Sequence, residues 1–156
     1  MKPEQEPITG AEYHGSPVTP KQALAHFYAA FNAASLDELA SNWEQSEDVV
    51  MDNPVGGIVR GWPALQQVYR RLVQGPAKIQ VEFYDYTLHE VGDVFYAIGR
   101  ERGTVRVGER QVALAIRTTR LFRRRAGVWR QVHHHGSMDD PAMLAEYQRV
   151  LLGASA

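Results

Sequence analysis

Apolar residues recur along the chain with two different periods, and the change from one to the other divides it. Leu24, Phe27, Tyr28 and Phe31 fall at the spacing of one helix face. They follow Thr19-Pro20-Lys21-Gln22, which has the form of a capping box with proline at the first helical position, so a helix is predicted over about 20–33. Ser35-Leu36-Asp37-Glu38 repeats the capping pattern, and Leu36, Leu39, Ala40 and Trp43 share a face of a short second helix. From Asp48 the period shortens. Val49-Val50-Met51, closed by Asp52-Asn53-Pro54 and Gly56-Gly57, reads as a strand entering a hairpin, with Ile58-Val59-Arg60 as its return. Gly61-Trp62-Pro63 opens a third helix, with Leu65, Val68, Tyr69 and Leu72 on one side, and Gly75-Pro76 ends it. Beyond it the pattern alternates over 78–90, 93–107, 110–125 and 128–137. Turn signals at Val91-Gly92-Asp93, Gly108-Glu109 and Ala126-Gly127 separate these segments, so four strands joined by tight turns form an antiparallel meander. A last helix, about 141–152, begins at Asp140-Pro141 and carries Met143, Leu144, Tyr147, Val150 and Leu151. A sheet of that length twists and curls, and the helices before it cover its concave face. The expected fold class is α+β: a curved antiparallel sheet with three N-terminal helices packed on the concave face, plus a C-terminal helix, forming a cone with a mouth.

Composition narrows the setting. The 156 residues suit a single folded unit. Residues 1–18, rich in proline, glycine and acids with no apolar period, read as a flexible N-terminal arm; 19–138 form the domain, and 139–156 its C-terminal helix and tail. With 17 Lys plus Arg against 18 Asp plus Glu, no long-range positive field gathers nucleic acid. The Arg123-Arg124-Arg125 cluster with Arg130 lacks interleaved aromatic residues and reads as solvated turn charge. Cysteine is absent, so thiolate chemistry, disulfides and Cys-ligated zinc are excluded. No apolar run suits a signal peptide or a membrane span, which makes a cytoplasmic location the expectation.

The run Thr119-Arg120-Leu121-Phe122-Arg123-Arg124-Arg125-Ala126-Gly127-Val128-Trp129-Arg130-Gln131-Val132-His133-His134-His135-Gly136-Ser137 carries a family likeness. It resembles the last hairpin of SnoaL-like proteins, a branch of the nuclear-transport-factor-2-like (NTF2-like) superfamily. It is similar also to the association domain of calcium/calmodulin-dependent protein kinase II, with the pattern T-R-x-W/F-x-R-R-x-G-x-W-x-x-V-H-x-H-x-S. The resemblance implies the NTF2-like or cystatin-like cone, a pocket inside it and a homodimer. The superfamily hosts enzymes, binding modules and assembly hubs, so it leaves function open. Hub domains line their cone with arginines; Arg120 falls on one such position and Gly136 stands at another.

Candidate chemistry gathers on few residues. Val112, Leu114, Ile116, Thr118, Arg120 and Phe122 share one strand face, so a guanidinium follows an apolar stripe into the cone. It needs a carboxylate there, either Asp52 or Glu101 of the protein or that of a ligand. Strand alternation sends His134 to one face and His133 with His135 to the other. A three-residue loop at Arg125-Ala126-Gly127 places His134 on the Arg120 face, and a two-residue loop places His133 and His135 there. Two imidazoles without an adjacent acid make no metal site, so no metal and no organic cofactor are expected. Asp52, at the end of the first strand, is either a turn-initiating residue or a pocket carboxylate able to act as a base. Asp52 with His134 is the candidate catalytic pair, and Tyr28, Trp43, Arg120 and His134 are the candidate ligand contacts. The expected ligand is a small apolar or weakly acidic organic molecule, processed if at all by cofactor-independent isomerisation, dehydration or cyclisation. The rival reading is an association module. Tyr84, Tyr86, Tyr96, Ala113, Ala115, Leu121 and Trp129 supply apolar residues for an outer sheet face, which predicts a homodimer packed sheet against sheet.

Overall fold

The computed structural model of the chain describes residues 1–153; the end of the expected C-terminal tail lies outside them. Thr19 caps helix α1 (Pro20–Asn32) by accepting the Gln22 N–H, with Pro20 in the first turn, where its missing donor costs nothing. Ser35 caps α2 (Leu36–Asn42) in the same way, accepting from Glu38 N–H. Helix α3 (Trp62–Gln74) starts after Gly61, and Asp140 caps α4 (Pro141–Leu152) by accepting from the Ala142 and Met143 N–H groups. All four helices lie where the apolar spacing puts them.

Strands β1 (Val50–Asp52), β2 (Val59–Arg60), β3 (Lys78–Val91), β4 (Val94–Val107), β5 (Arg110–Arg125) and β6 (Val128–Ser137) form one curved, unclosed sheet in the order β2-β1-β6-β5-β4-β3. The α+β class and the meander are as expected. The link between β1 and β6 is not local and was not in the sequence pattern: β1 joins β6 in parallel, with Val50 beside His133, Met51 beside His134 and Asp52 beside His135. Side chains from α1, α2 and α3, among them Phe27, Tyr28, Leu39, Leu65 and Tyr69, meet the inner sheet face in the core.

Two irregularities decide which side chains point inward. In β3 the pairing with β4 shifts between Tyr84 and Thr87 around Asp85, whose φ is 49°, and Tyr86 is turned into the core at 2 % exposure. Between β5 and β6, Ala126 and Gly127 both have positive φ, 50° and 77°, as a two-residue type I′ turn requires. Arg125 pairs with Val128, so the three-residue loop does not form. The register then shifts between Phe122, opposite Gln131, and Leu121, opposite His133, leaving Val132 as an extra residue. This bulge restores His134 to a position opposite Arg120.

The outer face is less apolar than the sequence suggests. Tyr86 and Trp129 are buried, the latter with its ring edge-on to Phe95, whereas Ala113 and Ala115 are exposed and Tyr84, Tyr96 and Leu121 are half-buried. The N-terminal segment also departs from a free arm. Glu4 and Ile8 exchange backbone hydrogen bonds with Tyr86 and Phe83 on the open edge of β3, and Ile8 is buried. An unpaired strand edge offers donors and acceptors to any extended chain, and one well-placed isoleucine fixes this one there.

Candidate functional site

Along β5 every second residue from Leu114 to Phe122 is buried, which carries Arg120 into the cone at 2 % exposure. Its counter-charge is Glu101 of β4, not Asp52. The Arg120 Nη2 donates to Glu101 Oε1 at 2.8 Å, Nη1 to Gln131 Oε1 at 2.7 Å and Nε to the Tyr28 hydroxyl at 3.2 Å. Tyr28 in turn donates to the same Glu101 oxygen at 2.6 Å. The guanidinium carbon lies 3.6 Å from the centre of the Phe27 ring. Burial works against the Arg120 charge, but Tyr28, Glu101 and Tyr69 more than offset it and hold the group protonated. Burial likewise pushes the Tyr28 hydroxyl well above the ordinary phenol range, and that of Tyr69 to about 12. Tyr28 is therefore a neutral hydrogen-bonding link between the ion pair and α1.

His134 stands across the ladder from Arg120 and beside Met51, buried, with no hydrogen-bond partner for Nε2 among the described residues. Burial, then the Arg120 charge, then His133 and His135 hold its imidazole well below the ordinary range, so it is neutral at pH 7. Gly136, two residues on, keeps the space beside it open: a Cβ there would stand 3.2 Å from His134 Nε2 and 3.0 Å from Pro54.

Arg120, Glu101 and His134 form the polar end of an inner chamber of about 60 Å³, with Phe27, Phe31, Leu114, Ile116 and Val68 among its apolar walls. A cleft of about 320 Å³ adjoins it between α3, the β1–β2 loop and α4, and Asn53, Val68, Leu72 and Tyr147 line both spaces. Tyr147 anchors α4 at the boundary, and Gln148 ties the helix to the Val55 carbonyl at 2.9 Å.

Of the residues expected at the site, Arg120 and His134 line the chamber together. Tyr28 lies behind them as a support for Arg120. Trp43 is fully buried, its indole N–H donating to the Tyr69 hydroxyl at 3.1 Å, and it sits behind Tyr69 rather than at the chamber wall. Asp52 faces the other way. Parallel pairing puts Met51 beside His134 on the inner face, so Asp52 emerges on the outer one, 2.6 Å from His135 Nδ1 and 3.6 Å from His133 Nε2. The Asp52–His134 pair is thus split across the sheet. Among the described residues no group of three or more His, Cys, Asp or Glu is arranged to hold a metal ion, and no helix is long and apolar enough to cross a membrane. The sequence reading undervalued Glu101. It is a single acid in the inward stripe Phe95, Ala97, Gly99, Glu101, Gly103, Val105, a pattern that signals a buried carboxylate awaiting a cation.

A sequence model of the SnoaL-like domain matches residues 21–141. No curated protein matches the chain. Among solved structures, a domain from Thiobacillus denitrificans, provisionally named a calcium/calmodulin-dependent protein kinase type II association domain, is 28 % identical. The match has a TM-score of 0.66 and covers 81 % of this chain and 100 % of that one. An NTF2-like protein from Streptomyces avermitilis, provisionally named a dehydratase, is 22 % identical with a TM-score of 0.68, covering 74 % and 89 %. A second provisionally named kinase-association domain, from Xanthomonas campestris, is 16 % identical with a TM-score of 0.65, covering 83 % and 96 %.

Proposed function

Because the chain belongs to the SnoaL-like domain family of the NTF2-like fold, we propose that it is a pocket protein that binds a small, largely apolar organic molecule in its cone. The observation that carries this reading is His134: a buried, neutral imidazole with an unpartnered nitrogen on the wall of an apolar chamber. A buried polar atom without a partner is costly, and a ligand group that hydrogen-bonds to it removes that cost. The Arg120–Glu101 pair is already matched, so it gives the chamber shape and polarity rather than net charge. In its catalytic form the reading is a cofactor-independent isomerase, dehydratase or cyclase in which His134 takes up a proton, without Asp52 as its partner.

Thermal unfolding in the presence of small neutral ring compounds and ketones tests the proposal. A ligand at 100 times its dissociation constant adds about 2.7 kcal/mol, roughly 5–11 °C for a domain of this size. Substituting His134→Leu is expected to weaken the same ligand roughly 2- to 13-fold, the worth of one neutral hydrogen bond. A flat response across such a library, with no binding of longer-chain alcohols or carboxylates either, removes the reading.

Pairing of two copies through the outer sheet face accompanies it. Ile98, 48 % exposed, shares its strand face with Tyr96 and Arg100 and is an exposed apolar residue in the middle of β4.

A further inference from the structure

Positive charge is distributed unevenly between the two adjoining spaces. Inside, Arg120 is matched by Glu101, Tyr28 and Gln131, and offers a ligand no free charge. Outside, Arg71, near the end of α3, is the only charged side chain among the described residues lining the cleft. It is exposed and takes part in none of the ion pairs among the described residues. Around it the cleft wall is aliphatic, with Val55, Val59, Leu72, Val150 and Leu151 each half-buried.

Size sets the second constraint. Ligand pockets begin at roughly 300 Å³, so the inner chamber, at about 60 Å³, holds one end of an organic molecule and no more. The cleft, at about 320 Å³, reaches that range. Since Val68, Leu72 and Tyr147 line both spaces, a ligand that reaches His134 leaves the rest of its body under α4.

We infer that the ligand of this pocket is an elongated amphiphilic carboxylate, its apolar body running from the inner chamber past Tyr147 into the cleft and its carboxylate at the rim against Arg71. The inference rests on the pocket reading above and reverses the orientation that Arg120 suggests in the sequence: the anion lies at the mouth, and the deep end is uncharged. A bland role for Arg71, offsetting the dipole at the C-terminal end of α3, predicts no effect on anion binding.

Calorimetric titration of the full chain with hexanoate, octanoate and decanoate, each against the matching 1-alkanol, tests it. Affinity is expected to rise about fourfold per methylene while the chain still finds apolar wall. At low salt the carboxylates should bind roughly 2- to 5-fold tighter than the alkanols, the scale of one exposed ion pair, and the margin should shrink as salt is added. In Arg71→Gln, an exposed substitution that leaves the core intact, the carboxylate margin should vanish while the rise with chain length persists. In Val68→Phe, which narrows the junction, the rise should stop at a shorter chain. Alkanols that bind as tightly as carboxylates, or a margin that survives in Arg71→Gln, overturn the inference and leave the pocket reading standing. Absence of binding by every member of both series, together with a flat response to the neutral ring compounds, overturns both.

Discussion

Replacing Glu101 by Gln keeps the shape of the side chain and removes its charge, which isolates the worth of the buried counter-ion. In the native chain Arg120 and Glu101 are 2 % and 4 % exposed and 2.8 Å apart. After the substitution the guanidinium keeps its neutral partners, Tyr28 and Gln131, and the face of Phe27, but no carboxylate. Breaking a buried pair in this way costs about 3–5 kcal/mol, because the remaining charge stays desolvated and cannot be neutralised by losing its proton. For a domain of this size that is a fall in melting temperature of roughly 6–20 °C. The double variant Glu101→Leu with Arg120→Met removes both charges and is expected to recover most of the loss, since apolar replacements of buried pairs are often neutral or stabilising. Urea unfolding at neutral pH measures both, with an unchanged slope confirming that the unfolded states are comparable. A loss below about 1 kcal/mol in Glu101→Gln would refute the account, because it would mean that water or another carboxylate reaches Arg120.

Three further outcomes are expected. His134 has a depressed folded pKa, so the unfolded chain binds its proton first. Stability from this residue is present above the ordinary imidazole value of 6.5 and is lost below it, by up to about 1.4 kcal/mol per pH unit; denaturant midpoints from pH 7.5 down to 5 in wild type and His134→Gln check it, and equal slopes refute it. Gly103→Ala would bring a methyl group to 1.9 Å from the Gln80 carbonyl oxygen and 2.8 Å from the Val81 Cα, so β3 and β4 must part. The expected loss is at least 1–3 kcal/mol, read from the urea midpoint, and a neutral result would show that the strands separate freely. Light scattering should give twice the 17.5 kDa of one chain at micromolar concentration, and Ile98→Glu should halve it; a monomeric wild type removes the paired arrangement.

What the sequence disclosed was whatever local pattern controls. Caps at Thr19, Ser35 and Asp140, and the alternation from Lys78 to Ser137, put the helices and the four long strands within a residue or two of their observed ends. Arg120 was legible because a charge in an inward apolar stripe is unusual. The direction of Asp52 was not, since it depends on a parallel pairing between segments some eighty residues apart. His134 reached the inner face through a two-residue turn corrected by a bulge at Val132, a combination that alternation alone does not reveal. The docking of residues 4–8 was also hidden, because a single isoleucine in a polar stretch carries no period.

The run His133-His134-His135 gives the hairpin a tolerance to slippage. Arg120 now pairs with His134. Were the Val132 bulge ironed out by a slip of one residue, His133 would take that place, and a slip the other way would deliver His135. Insertions or deletions of one residue near the Ala126-Gly127 turn would invert the faces of β6, yet an imidazole would still stand opposite the arginine. Such a shift would also turn Gln131, which accepts from Arg120 Nη1 at 2.7 Å, and the buried Trp129 out of the cone, so the histidine is the one partner of Arg120 on β6 whose place is held in triplicate.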